Sequence, residues 1–383
     1  MSQCRQFVKI AIINVLVLLG LFLTIEFGLR IFYAVKDKTP PHADLSVERE
    51  WNWVRARMQD GKVNFDSRFE YDAIAGWKNA ANLNKPTTRE HGAVRTNSHG
   101  MRNDGDFSLV PASGRPRLMI VGDSYSFGFG VSNEETYAYQ LAARMPDWDI
   151  MNLAVSATGT DQQNLMYEHY GEKFKPNIVL LGFYVLDYNR NTYSFRDYAK
   201  PMYVPQADGN LLLTNVPVTS PEDLIEQYRS GQKSIGGWHY SYLMARVRQE
   251  LGDRIKRDRS PGSLARRTLS GIMQQFSERV RNNGATPVWV IFPIDDILQQ
   301  NVSKYHEISD FSIAEAKRLG MPVLDLEPAY RDYVSKHPHA KSLWRPFEIG
   351  GHLSADGNKV SAEAIYAFLK QQGLLSKPDY SAK

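Results

Sequence analysis

The stretch Val121-Gly-Asp-Ser-Tyr-Ser-Phe-Gly-Phe-Gly130 follows the apolar run Leu118-Met119-Ile120 and precedes a segment, Glu134 to Met145, patterned as a helix. A polar Asp-Ser pair therefore sits where a buried strand ends. One reading is chemical, because open α/β sheets place their ligands at the carboxyl ends of strands. The other is an ordinary strand-to-helix turn, with Gly122 easing the bend and Ser124 capping the helix. The tripeptide leaves both open.

The flanking sequence supplies the sheet. Short apolar runs alternate with helical patterns: Arg117 to Val121, a helix near 134–145, Asp149 to Val155, a helix near 161–174, and Asn177 to Val185. After a long interruption come Thr286 to Phe292, a helix near 302–319, Pro322 to Leu326, and a last helix near 355–371. Such alternation predicts βαβ units and a mostly parallel sheet of five strands, in a flavodoxin-like order, with helices on both faces. The interruption contains Met202 to Val216, which reads as a hairpin about Asp208-Gly209, and a helical stretch near 239–251. Lying after the third strand, it falls on the same rim as Ser124.

Composition narrows the class. The 383 residues are 43% hydrophobic and 23% charged, with a formal net charge of +4, which describes a globular chain and gives no footing for nucleic acid. The densest basic stretch, Arg254 to Arg267, also carries acids and a Ser-Pro-Gly break and reads as a solvated linker. Cys4 is the only cysteine, so internal disulfides, zinc ribbons and Cys-x-x-Cys redox sites are excluded. Gly122 to Gly130 lacks the Lys of a P-loop, and no Asp and His spacing marks a metal site. No metal and no cofactor are expected.

The first residues are a different material. Ile10 to Ile25 is uncharged, and apolar character resumes beyond Glu26 and Arg30 up to Val35. About 20 residues cross a hydrocarbon core. Residues 10–35 suffice if Glu26 and Arg30, four apart on a helix, pair near the far interface. This reads as an uncleaved signal anchor after a cytoplasmic tail, 1–9, because Phe32-Tyr33-Ala34-Val35 makes a poor cleavage site. Residues 36–115, rich in Asn, Arg, Asp and Gly with scattered aromatics, read as an extended preface packed on the domain that follows, 116–376, with its insertion at 187–267.

A serine hydroxyl becomes a nucleophile only when a base takes its proton. In Gly350-Gly-His-Leu-Ser-Ala-Asp-Gly357, His352 lies on a glycine-opened loop before the last helix, and that loop should return to the Ser124 rim. A plain helix-start residue is the competing account. His337 and His339 read as part of an exposed loop.

These pieces together resemble the SGNH/GDSL hydrolase family. The blocks are Gly122-Asp-Ser124, Asn152-Leu-Ala-Val-Ser-Ala-Thr-Gly-Thr-Asp-Gln162, Gly182-Phe-Tyr-Val-Leu-Asp187 and His352-Leu-Ser-Ala-Asp-Gly357, in family order and at family strand positions. Two preface segments, Tyr71-Asp-Ala-Ile-Ala-Gly-Trp77 and Val94-Arg-Thr-Asn-Ser-His-Gly-Met-Arg102, resemble those of bacterial membrane-anchored members. The resemblance implies a three-layer α/β/α fold, while Arg5 and Lys9 before the apolar run favour a cytoplasmic N-terminus and so a C-terminal domain that is periplasmic or otherwise extracytoplasmic behind a single-pass inner-membrane helix. It also implies acyl transfer from an ester, with Ser124 as nucleophile, His352 as base, and backbone N–H groups of Ser124 and the second block holding the oxyanion.

The chain departs from the family in three places. Ala157 stands for the second-block glycine, with Gly159 as the alternative; Leu186 replaces the oxyanion Asn before Asp187; Gly350 or Ile349 replaces the acid before the histidine. Glu348 is a candidate orienting acid, and Asn189 or Asn191 a candidate amide, with loop capping as the asparagines' other role. Asp123 is expected to fix the turn by bonding backbone N–H groups. Two functions remain: an esterase or acyl transferase acting on an acylated small molecule, polysaccharide or lipid of the cell envelope, or a catalytically degenerate module that binds glycan or an assembly partner.

Overall fold

The apolar N-terminal run folds as one helix, α1 (Ser2–Val35), in a computed structural model. The structure describes residues 2–36, 38, 40–42, 44–60, 67–88, 92–111, 115–235, 240–257, 260, 262–298, 305–337, 343–346 and 351–375. Within α1, Gln6–Val35 is long and apolar enough to cross a bilayer. Helix α2 (Leu45–Asp60) follows, then two antiparallel ladders, β1 (Phe69–Asp72) with β2 (Gly76–Asn79) and β3 (Asn84–Lys85) with β4 (Val94–Arg95).

The main sheet begins at β5 (Arg117–Gly122) and continues through α3 (Ser124–Phe127), α4 (Tyr137–Arg144), β6 (Asp149–Asn152), α5 (Thr160–Met166), β7 (Ile178–Tyr184) and α6 (Asp187–Arg190). The hairpin β8 (Met202–Pro205) and β9 (Leu211–Thr214) comes next, with α7 (Pro221–Arg229) and α8 (Tyr242–Arg257). Completing the chain are α9 (Leu264–Asn282), β10 (Thr286–Phe292), α10 (His306–Arg318), β11 (Val323–Asp325), α11 (Glu327–Lys336) and α12 (Ala355–Gln371).

The five strands lie in the order β11-β10-β7-β5-β6, and all four pairings are parallel. Counted from the β6 edge, that is the flavodoxin-like order expected from the sequence. Every residue of β5 and β7 is buried, as strands covered on both faces require. Helices α4, α11 and α12 pack together as one layer, and α5, α9 and α10 as the other, giving three layers.

The chain divides into two compact units. One comprises residues 1–63, 195–198 and 221–257; the other, with the sheet, comprises 64–194, 199–220 and 258–383. The division at 63/64 falls inside the segment that the sequence groups as one preface, and the insertion is shared between the units.

In the first unit, α2 is a helix where an extended segment is expected. Its packing residues are aromatic rather than periodic aliphatics. Trp51 meets Tyr228 at 5.0 Å between ring centroids, and Trp53 meets Tyr198 at 4.8 Å. The basic stretch at 254–267 is helical at both ends, in α8 and α9, with residues 258, 259 and 261 between them outside the described residues. The first four residues from Arg254 belong to α8 and Leu264–Arg267 to α9.

Gly122 and Gly182, register partners on β5 and β7, make the sharp turn after β5 possible. A Cβ at Gly122 would stand 2.3 Å from the Ser126 Oγ, and one at Gly182 would stand 2.1 Å from it. The two bare positions hold the space that the first turn of α3 occupies. We expect Gly182→Ala to lower unfolding free energy by about 1–3 kcal/mol in urea titration. Adding Ser126→Ala, which removes the Oγ, should recover most of that loss.

Candidate active site

Strand β5 ends at Gly122, and the chain turns directly into α3. Asp123 caps that helix, its Oδ1 accepting from the Tyr125 N–H at 2.9 Å, as the sequence predicts for this residue. Gly128, at φ 83°, ends the helix by entering a conformation that favours glycine. Ser124 is thus raised on a two-ended turn at the carboxyl rim of the sheet, 5% exposed.

The distant histidine comes to the same rim. A bridge between Trp344 and Leu353 and the Arg345 N–H to His352 carbonyl bond of 2.7 Å shape its loop. Ser354 then caps α12 by accepting from the Gly357 N–H at 3.1 Å. His352 Nε2 lies 2.9 Å from Ser124 Oγ, although the residues are 228 apart in sequence. The Phe129 ring lies 4.6 Å from the imidazole and the Tyr125 ring 5.4 Å, so aromatic faces wall the pair. Burial pushes the Tyr125 hydroxyl well above its ordinary range, leaving it neutral.

In the second-block loop, Ala157 and Gly159 take different backbone conformations. Ala157 has φ 69°, the left-handed conformation that a family glycine would adopt freely. Gly159 has φ −94° and opens α5 instead. A Cβ there would come within 2.7 Å of Asp161 Oδ1. Ala157 accordingly occupies the strained position and Gly159 the helix cap.

After β7 the sequence left a gap, since Leu186 offers no amide. The residue the sequence reading missed is Arg190. Its Nη1 donates to Asp123 Oδ2 at 2.7 Å, to Asp187 Oδ1 at 2.6 Å and to the Thr158 carbonyl at 3.2 Å. Asp123 Oδ2 is 3.4 Å from Ser124 Oγ, which places the cation one residue's contact away from the hydroxyl. Burial alone would lower the Arg190 pKa, but the carboxylates of Asp187 and Asp123 outweigh it and keep the guanidinium charged. The Nε and Nη2 groups carry no hydrogen bond to another described residue.

Asp187 is buried and also accepts from Gln163 Nε2 at 2.9 Å, which makes it a partner of Arg190. Asn191 caps α5, its Oδ1 accepting from the Asp161 N–H at 3.2 Å, so the loop-capping reading holds for it. The Asn189 Oδ1 is buried and has no hydrogen-bond partner among the described residues. Asp161 pairs with the fully buried Lys200, and burial pushes its carboxyl upward against that cation's pull. Glu348, Ile349, Gly350 and His339 lie outside the described residues. His337, just past α11, stacks its ring on Tyr333 of that helix at 4.3 Å.

The preface segments brace these loops. Trp77 Nε1 donates to the Ser156 carbonyl at 3.1 Å, beside Ala157, and Asn79 Nδ2 donates to the Ala154 carbonyl at 2.9 Å. Arg102 grips the turn after α3. Its guanidinium donates to the Phe127 carbonyl at 2.8 Å, the Val131 carbonyl at 2.6 Å, the Gly128 carbonyl and Asn133 Oδ1 at 2.9 Å. Burial, with Arg95 nearby, lowers its pKa to about 9, and the side chain stays protonated at neutral pH. No periodicity signals these roles; only the preface motifs hint at them.

Comparisons with known proteins give likenesses of fold only. No protein-family model matches the sequence, and the curated proteins return no match. Among solved structures, TesA is 12% identical, with 67% of this chain and 98% of that chain aligned at a TM-score of 0.38. A G-D-S-L family lipolytic protein from Desulfitobacterium hafniense is 13% identical over 67% of this chain and all of its own, at 0.37. Axe2, an acetylxylan esterase from Geobacillus stearothermophilus, is 10% identical over 68% and 96%, at 0.38. The fold assignment stands on this chain's own strand order.

Replacing Arg102 with Met should cost about 3 kcal/mol or more, because carbonyls buried around it lose their donors. Arg102→Lys should recover only part, since an ammonium cannot reproduce the planar fork. Chemical denaturation of both variants checks this.

Proposed function

We propose that the protein is a membrane-anchored serine ester hydrolase, or an acyl transferase, acting on acylated carbohydrate or lipid of the cell envelope. The observation that carries the reading is the 2.9 Å contact between Ser124 Oγ and His352 Nε2. With Nε2 unprotonated, the imidazole accepts the hydroxyl proton as Oγ forms a bond to the acyl carbon. The imidazolium then returns that proton to the leaving alkoxide as the original C–O bond breaks. Water, or a second hydroxyl, releases the acyl group from Ser124 by the reverse sequence.

The oxyanion is held by the backbone N–H groups of Ser124 and Ala157, with Arg190 supplying charge where the family has an Asn. A guanidinium whose Nε and Nη2 bond no other described residue, kept ionised by two carboxylates, answers the departure at Leu186. Helix α1 acts as a signal anchor and leaves the hydrolase-like domain outside the inner membrane.

A fluorophosphonate probe on detergent-solubilised full-length protein tests the pair. Label is expected on the native protein, absent from Ser124→Ala and sharply reduced in His352→Ala. An unlabelled native protein, under conditions that label an active serine esterase, sinks the catalytic reading in favour of a glycan-binding module. For Arg190, the conservative change Arg190→Lys keeps a cation against Asp123 and Asp187. Ester-hydrolysis assays should show kcat lowered roughly ten- to hundredfold with KM little changed.

A further inference from the structure

Helix α8 carries an apolar stripe that its own unit leaves uncovered. Met244, Val247, Leu251 and Ile255 are 41%, 44%, 53% and 59% exposed. At 100° per residue they fall in one stripe roughly 80° wide. Arg248 borders the stripe on one side and Arg254 on the other. A different face, with Ala245 and Gln249, is buried, and Gln249 Nε2 donates to Glu48 of α2 at 2.5 Å. The helix is therefore fixed to its unit by one face while presenting apolar side chains on another. The sequence of α8 contains five Arg and Lys against two acids.

The same unit contains α1, and the two helices meet at a specific place. Glu26 of α1 accepts from the Tyr242 N–H, the Leu243 N–H and the Ser241 hydroxyl, each at 2.9 Å. A residue of the apolar helix thereby caps the N-terminus of α8. Arg30 pairs with Glu26 at 2.8 Å, as its spacing predicts, and its guanidinium lies 4.5 Å from the centre of the Tyr242 ring. From Lys9 to Glu26 a helix rises about 25 Å, close to the ~30 Å of a hydrocarbon core. Glu26 and the start of α8 then stand near the far boundary of a membrane that α1 spans. Phe27, Ile31, Phe32 and Val35 are also exposed at this end of α1. A cleft in the unit adds Lys38, Arg55 and Arg246, against Glu48, beside Phe32 and Tyr33.

We propose that α8 lies in the outer interface of the membrane that α1 crosses, its apolar stripe among the acyl chains and its arginines at anionic lipid headgroups. This rests on the membrane-spanning reading of α1 but not on the catalytic reading of Ser124. Interfacial helices have this composition, an apolar face bordered by basic residues. A second copy of the chain is the poorer occupant, because apposed stripes would bring Arg248 and Arg254 against their own kind. Anionic headgroups meet the same side chains with opposite charge.

Depth-dependent quenching of single-cysteine variants tests this. The full-length protein, with Cys4→Ser as background, would carry an environment-sensitive fluorophore at Leu18→Cys, Leu251→Cys or Glu250→Cys. The vesicles are phosphatidylcholine with a minor share of phosphatidylglycerol, containing lipids with a nitroxide at a shallow or a deep acyl position. The expected result is deep quenching at position 18, and shallow quenching at 251 about threefold stronger than at 250. Equal quenching at 251 and 250, with position 18 still quenched, overturns the placement of α8 and leaves the span intact. A protected probe at 251 that lipid nitroxides do not quench, and that loses protection on dilution, overturns it in favour of a second copy. No quenching at position 18 removes the span and this placement together.

Discussion

Backbone carbonyls in loops at the carboxyl rim of a parallel sheet have no ladder partner, and burying them without a donor is costly. Every feature of the site depends on how they are satisfied. The turn that raises Ser124 is held by Arg102 through the carbonyls of residues 127, 128 and 131. The loop that carries Ala157 is held by Trp77 and Asn79, and Gln162 of α5 reaches back to the Ala75 carbonyl at 2.7 Å. Among the described residues of the segment 64–115, Trp77, Asn79 and Arg102 serve the site as hydrogen-bond donors. The segment's scattered polar and aromatic composition suits that task.

A second constraint is electrostatic. Asp123, Asp187 and Arg190 are largely withdrawn from water, as are Asp161 and Lys200. Buried ions persist only when paired, and removing one member leaves an uncompensated charge. Arg190 joins the nucleophile turn to the loop after β7, and Lys200 joins the hairpin side of the insertion to the start of α5. Charge pairing therefore sets the spacing between the second and third loops, whereas apolar packing sets the strands beneath them.

Much of this was legible in the chain. The five-strand alternation follows from apolar runs whose lengths and spacing suit only parallel strands, and the observed order agrees. Ser124 and His352 were legible because one follows a strand and the other precedes a helix, at positions that a parallel sheet brings to one rim. The pairing of Glu26 with Arg30 was readable from helical spacing. Arg190 was not, because its two carboxylates stand 67 and 3 residues away and only the folded loops bring all three together. The distinction between Ala157 and Gly159 depends on the sign of φ, which a side chain without steric preference for that region does not advertise. Helix α2 escaped notice because Trp and Tyr packing substitutes for an aliphatic stripe.

Glu26 has a bearing on how the protein matures. Its carboxylate lies inside the apolar helix yet finishes the first turn of α8, more than two hundred residues later. A cut after Val35 would carry that carboxylate away and take its acceptor from the amides of Tyr242 and Leu243. Helix α1 is in this respect a component of the folded unit, because its carboxylate supplies the cap of a helix more than two hundred residues on.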